Sequence, residues 1–254
     1  MLLLLRKIRQ KLMQKNKFTT YLLYAIGEIV LVVIGILIAV SLNNWNQTRK
    51  ERQQEKFILS QLKKEIAANA KYIAVDIQNN TRSLNSAIAM VKVLQDKQLE
   101  QQPALVDSLM AGIYAISGFD PITGFINDVI NTGKLEIITD DSIRSQLANW
   151  EYVFLDYKDD YNIRNSLLFR ELVPYVQKHY PLVNLLPSYN DYVRSGDYSQ
   201  LRPSELKPNY SELYGLEFEG VLANHIINQE YLIDDAKIYQ KYLEELLAQI
   251  EEAD

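Results

Sequence analysis

Residues 21–42 read YLLYAIGEIVLVVIGILIAVSL, and fourteen of these 22 positions are Leu, Ile or Val. No other feature of the chain constrains its folding more. At roughly −0.3 to −0.6 kcal/mol each, the aliphatic residues outweigh the roughly +3 kcal/mol of one central charge. A helix of this length spans about 33 Å, enough for a hydrocarbon core of about 30 Å. Tyr21, Tyr24 and Trp45 fall where interfacial aromatics are expected. We read the run as an uncleaved signal anchor, a single transmembrane helix. A cleaved signal peptide is the rival reading, with Ala39-Val40-Ser41 as its small-residue site. The apolar stretch and its basic lead are both long for a signal peptide.

Charge sets the expected orientation. The lead, residues 1–20, carries Arg6, Lys7, Arg9, Lys11, Lys15 and Lys17 and no acid. Arg49, Lys50, Arg52 and Lys56 follow the run. The bias is modest and places the N-terminus inside, with the C-terminal domain in the periplasm. Residues 1–13 mix Leu with Arg and Lys, as an amphipathic surface helix or a disordered basic lead would. Residues 43–254 hold 21 basic and 31 acidic residues. That balance argues against nucleic acid as a partner.

The 212 residues after the run suffice for one well-buried domain. Gly (9) and Pro (7) are scarce, which favours helices. The expected fold class is all-α: a transmembrane helix continuing into a long helix, then an antiparallel helical bundle. Neither Gly nor Pro occurs between Ile36 and Gln102, and Asn43, Asn44 and Asn46 mark the weakest point of that long helix. From Ile58 an apolar row runs through Leu62, Ile66, Asn69, Ile73, Ile77, Asn80, Leu84, Ile88 and Val91, an 11-residue repeat. Its two Asn could fix register in a coiled coil, or lie near the edge of an intramolecular bundle.

Pro103 suits the first turn of a second helix, with Leu105, Leu109, Ile113 and Ile116 on its face. A short helix over Phe125–Thr132 should end at Gly133, a left-handed stop. An extended connector over Lys134–Ile138 follows. Thr139, Asp140 or Asp141 can cap the next helix. That helix points Ile143, Leu147, Trp150, Phe154, Tyr157 and Tyr161 inward, and is expected to continue to His179 with a kink or break at Pro174. Residues 181–215, with four prolines, read as a long ordered loop. The last helix carries a heptad stripe: Phe218, Leu222, His225, Gln229, Leu232, Ala236, Tyr239, Leu243, Leu246 and Ile250.

The run YLLYAIGEIVLVVIGILIAVSLNNWN and the stretch NTGKLEIITDDSIRSQL resemble an uncharacterised family of small membrane-anchored helical proteins common in Bacteroidota. The resemblance implies one anchor, one helical domain and a Gram-negative envelope setting. It carries no activity and no catalytic residue.

The chain has no cysteine, so disulfides, thiolate zinc sites and cysteine nucleophiles are excluded. No phosphate loop, nucleophile elbow or HExxH pattern is present, and no cofactor is called for. His225 reads as a core histidine and His179 as a helix-end cap. The pairs Asp159-Asp160 and Asp234-Asp235 read as solvated faces. Two groups of residues are singled out. Glu28, Gly35 and Ala39 share one face of the membrane helix, where small residues allow close approach and an uncharged acid can donate a hydrogen bond. Its partner would be a second copy or another membrane protein. Tyr189, Tyr192, Tyr198, Tyr210 and Tyr214 crowd the Pro-rich loop as a candidate binding surface, or as a clamp holding the loop on the bundle. The functional expectation is a membrane-anchored interaction or scaffold module without catalysis. The alternative is a periplasmic ligand-sensing bundle acting through a separate membrane partner.

Overall fold

The computed structural model describes residues 18–190, 192 and 196–253, without the side chains of 18–20 and 23. The expected amphipathic or disordered lead over residues 1–13 lies outside these residues. The described chain is helical, with no β-strand among the described residues. It divides into two compact units, Met1–Phe57 and Ile58–Asp254.

Helix α1, Phe18–Gln95, is unbroken, so Asn43, Asn44 and Asn46 interrupt nothing. Side chains on a continuous helix leave its backbone bonds intact, and Asn costs only a fraction of a kcal/mol there. In the first unit, α1 is long and apolar enough to cross a membrane. Residues 26–54 are exposed throughout, and Leu31 is 67% exposed. The apolar run is therefore not a core helix of its own unit.

The second unit contains the remaining helices: α2 (Pro103–Tyr114), α3 (Gly124–Asn131), α4 (Asp141–Leu167), α5 (Val173–His179), α6 (Leu186–Tyr189), α7 (Tyr210–Leu213) and α8 (Leu216–Ala253). Paired side chains give the directions. Lys63 meets Glu251 at 3.0 Å and Gln229 donates to Asn80, so α8 runs antiparallel to α1. Ser142 meets Gln249 and Tyr242 donates to Gln146, so α8 also runs antiparallel to α4. Ser83 donates to Ile113 O and Ser117 to Asp76, which sets α2 and its exit antiparallel to α1.

One core cluster joins Ile58–Ile73 of α1, Ile143–Tyr157 of α4 and Leu232–Ile250 of α8. A second joins Ala87 and Met90 of α1 to α2, the segment from Leu168 to Leu185, and Phe218 and Leu222 of α8. Every residue of the α8 stripe is buried as expected. Asp140 caps α4, accepting from Ser142 N at 2.8 Å and Ile143 N at 3.0 Å. Gly133, at φ 74°, follows the end of α3 in the left-handed region.

Several expectations change. Lys134–Ile137 is a 3₁₀ turn rather than extended, closed by Glu136 N on Gly133 O and Ile138 N on Leu135 O. Of the expected α2 face, Ile113 is buried and Leu109 half-buried, but Leu105 is 41% exposed, Ile116 lies past the helix end, and Val106, Met110 and Ala111 complete the buried side. Both rows are apolar at helical spacing, and packing selects the one facing α1. As expected the helix runs on to His179, and Pro174 does not break it. A π turn over Leu168–Leu172 hands the Val173 N–H to Leu168 O, and the chain continues into α5. Proline offers no N–H, and a wider turn re-pairs the neighbouring groups. The buried row of α1 also shifts. After Ile73 it passes through Asp76, Asn80, Ser83, Ala87 and Met90, leaving Ile77, Leu84, Ile88 and Val91 half-buried on the flank.

Candidate functional site

That shifted row places polar groups in the middle of the bundle. Asp76 is 3% exposed and Arg164 of α4 is 2% exposed. Asp76 accepts from Ser117 Oγ at 2.6 Å, Tyr157 Oη at 2.8 Å and Asn80 Nδ2 at 3.0 Å. Arg164 Nη2 donates to Ser117 O at 2.7 Å and to Asn80 Oδ1 at 3.3 Å. Gln229 of α8 donates from Nε2 to the same Asn80 Oδ1 at 2.8 Å. Tyr157 Oη in turn accepts from Phe119 N at 2.8 Å. The guanidinium carbon of Arg164 lies 5.5 Å from the Tyr161 ring centroid, a cation–π contact. Asp76 and Arg164 each draw partners from other elements, as buried charge requires, while Arg164 Nε is buried without one.

Burial raises the Asp76 carboxyl above its ordinary value, while the hydrogen bonds from Ser117 and Tyr157 and the charge of Arg164 pull it back. Burial lowers Arg164, and Tyr161 and Asp76 oppose that. His225, next to this network on the α8 stripe, is 3% exposed and pushed down to about 4, first by burial and then by the charge of Arg164. It is a neutral core imidazole. Chemically, the network is a structural lock that joins α1, α4, α8 and the segment after α2.

Beside it opens a cleft of about 420 Å³. Gln78, Asn79 and Arg82 of α1 form one wall, Ala115–Ser117 the floor, and Tyr189, Asn190 and Tyr192 the other wall. Asn79 Nδ2 donates to Ser117 Oγ at 3.5 Å, so the floor of the cleft is a member of the buried network.

The five tyrosines do not gather into one surface. Tyr189 and Tyr192, with ring centroids 6.3 Å apart, share the cleft wall. Tyr189 donates to Tyr114 O at 3.4 Å. Tyr198 folds over Gly196, and Tyr210 packs on the second core cluster. Tyr214 accepts from Leu99 N at 3.0 Å and borders a different recess. Much of the loop is thus tied to the bundle. Glu28, Gly35 and Ala39 are exposed in the first unit, and a Cβ at Gly35 would meet nothing within 4 Å. His179 ends α5 with its ring 4.7 Å from that of Tyr175.

The acidic pairs are only partly solvated. Asp159 and Asp234 are exposed, but Asp160 of α4 and Asp235 of α8 are half-buried and share a hydrogen bond. Asp235 is pushed up to about 6, first by burial and then by Asp160, with Asp156 and Asp234 adding to it. Adjacent residues on one helix do not converge, but residues on two facing helices do.

Sequence reasoning missed Asp76, Ser117 and Arg164. Arg164 carried a usable signal, because the 4–3 stripe of α4 that ends at Tyr161 reaches Arg164 at its next step. Asp76 and Ser117 carried none at the level of hydrophobic pattern.

No curated protein and no solved structure matches the chain. A family model does match, over residues 28–166. That span includes Glu28 and the Asp76, Asn80, Ser117, Tyr157 and Arg164 part of the network, while Gln229 and His225 lie outside it. The match covers more than half of the sequence, and the chain belongs to this family of unknown function (DUF6090).

Proposed function

We propose that the chain is a membrane-anchored helical interaction or scaffold module of a bacterial envelope. In this reading residues 21–42 cross the cytoplasmic membrane, residues 1–20 stay inside, and residues 43–254 form a periplasmic domain. The observation that carries it is the apolar stretch of α1 over residues 26–42, whose side chains are all exposed among the described residues. The reading assigns no catalytic residue, metal or cofactor. Its partners are the bilayer and a second copy or another membrane protein, met through the face of Glu28, Gly35 and Ala39. The test is topology. The chain should resist carbonate extraction, and protease added to spheroplasts should remove a C-terminal tag. Release by carbonate would overturn the anchor, and a protected tag would reverse the orientation.

A second reading is favoured by the cleft. Its floor residue Ser117 hydrogen-bonds to Asp76, and Arg164 holds the Ser117 carbonyl. A ligand touching Ser117 would act on groups that hold three helices together. This supports ligand sensing through a separate membrane partner. Copurification of a membrane protein from native membranes in mild detergent, changed in yield by ligand, would support it; an unchanged yield would count against it.

A further inference from the structure

The cleft has the make-up of a small-ligand site. Its volume, about 420 Å³, falls within the roughly 300–1,000 Å³ of such sites. Three side-chain amides, Gln78, Asn79 and Asn190, line it, and each offers both a donor and an acceptor. Tyr189 and Tyr192 supply ring surface on one side. The Ser117 hydroxyl at the floor is oriented by the bond it gives to Asp76.

Charge narrows the class. The domain is acidic, with 31 acids against 21 bases after residue 42, yet among the described residues no carboxylate lines this cleft. The buried Asp76 behind the floor is balanced by Arg164. Arg82 stands exposed on the wall and forms no ion pair with any described residue. A guanidinium matches a carboxylate in a planar, two-bond geometry. Amides and hydroxyls around it suit a polyhydroxylated body, and tyrosine rings suit the less polar faces of a sugar ring.

We propose that this cleft binds a small hydroxyl-rich carboxylate of the sugar-acid class, with Arg82 holding the carboxylate and Asn79, Asn190 and Ser117 meeting the hydroxyls. The assignment rests on the ligand-sensing reading and gives it a ligand class.

The test uses the full-length chain in phosphatidylcholine nanodiscs, titrated with glucuronate by calorimetry, with glucose as the uncharged counterpart. Saturable glucuronate binding is expected, with glucose weaker by about tenfold or more. Arg82→Gln, an exposed substitution that leaves the core untouched, should remove that preference, and Arg82→Lys should keep part of it. Absence of saturable glucuronate binding up to about 10 mM would overturn the proposal. So would equal affinity for glucose, or binding unchanged in Arg82→Gln. Trp150 emission in a Trp45→Phe background separates the two readings. Glucuronate bound without any change in emission or partner yield leaves the site standing and overturns sensing.

Discussion

Asp76 and Arg164 form no direct ion pair; they are joined through Asn80, which donates to the one and accepts from the other, and through Ser117, whose hydroxyl and carbonyl do the same. Each charge therefore depends on the other through shared neutral partners. Removing one charge leaves the other buried without compensation. Arg164→Met should cost about 3–5 kcal/mol of stability. Adding Asp76→Asn should recover part of that, so that the two changes couple by at least about 1 kcal/mol in a denaturant double-mutant cycle. Strictly additive costs would show that the network does not act as one unit.

His225 makes stability depend on pH in a defined direction. Its folded value is about 4 against an ordinary 6.5, so the unfolded chain binds more protons between them. The contribution of neutral His225 is complete above about pH 6.5 and is lost as pH falls toward 4. Between pH 7 and pH 5 the loss should be about 2 kcal/mol. His225→Leu should flatten this part of the profile. An unchanged slope in that variant would assign the acid sensitivity to other groups.

Asp235 acts in the opposite sense. Its folded value is raised to about 6 from 3.8, so the native state binds the extra proton. Stability from the proton held on Asp235 is present at low pH and is lost as pH rises through about 6. Asp235→Asn keeps a hydrogen-bonding group there without the charge. It should raise the melting temperature at pH 7.5 and leave it nearly unchanged at pH 4. Equal shifts at both pH values would rule out carboxylate repulsion as the cause.

The outer plan of this domain was legible because its helices are amphipathic. All ten expected α8 positions are buried, and Asp140 and Gly133 act where the capping rules put them. The interior of the site was not legible, for a reason visible in α1. Ile77, Leu84, Ile88 and Val91 compete with Asp76, Ser83 and Ala87 for the buried row, and hydrophobicity alone picks the aliphatic set. The polar set lies inside because Ser117, Tyr157 and Arg164, far along the chain, supply partners for it. Such pairing is tertiary information.

Close helix approach gives a further measurable consequence. A Cβ built at Gly112 of α2 would lie 2.8 Å from Ser86 Cβ on α1 and against Ser86 Oγ. Gly112→Ala gains helix propensity of about 0.5–1 kcal/mol, yet forces two packed backbones apart. The net effect should be a loss of about 1–3 kcal/mol. Pairing it with Ser86→Gly removes the two Ser86 atoms, leaves the Tyr192 hydroxyl 2.8 Å away, and should restore part of the loss. A stabilised single variant would mean that α1 and α2 can separate freely at this point.

Glu28 lies about 10 Å along the helix from Tyr21. If the span began after Glu28, only Ile29–Leu42 would remain, about 21 Å of helix, short of the roughly 30 Å hydrocarbon core. Under the anchoring proposal Glu28 therefore sits within the bilayer, where a polar group is costly unless a partner meets it. Gly35 and Ala39 follow at seven and eleven positions, on the same face, and Gly35 leaves open space beside the helix. A second helix can approach closely there and meet the Glu28 carboxyl with a hydrogen bond. Glu28→Leu makes the segment more apolar, so insertion should persist while association weakens. Cysteines introduced singly on this face, crosslinked in native membranes, would report the change. Loss of a crosslinked species in Glu28→Leu supports pairing through Glu28. Equal crosslinking in both proteins would leave Glu28 snorkelling toward the headgroups, with no role in helix pairing.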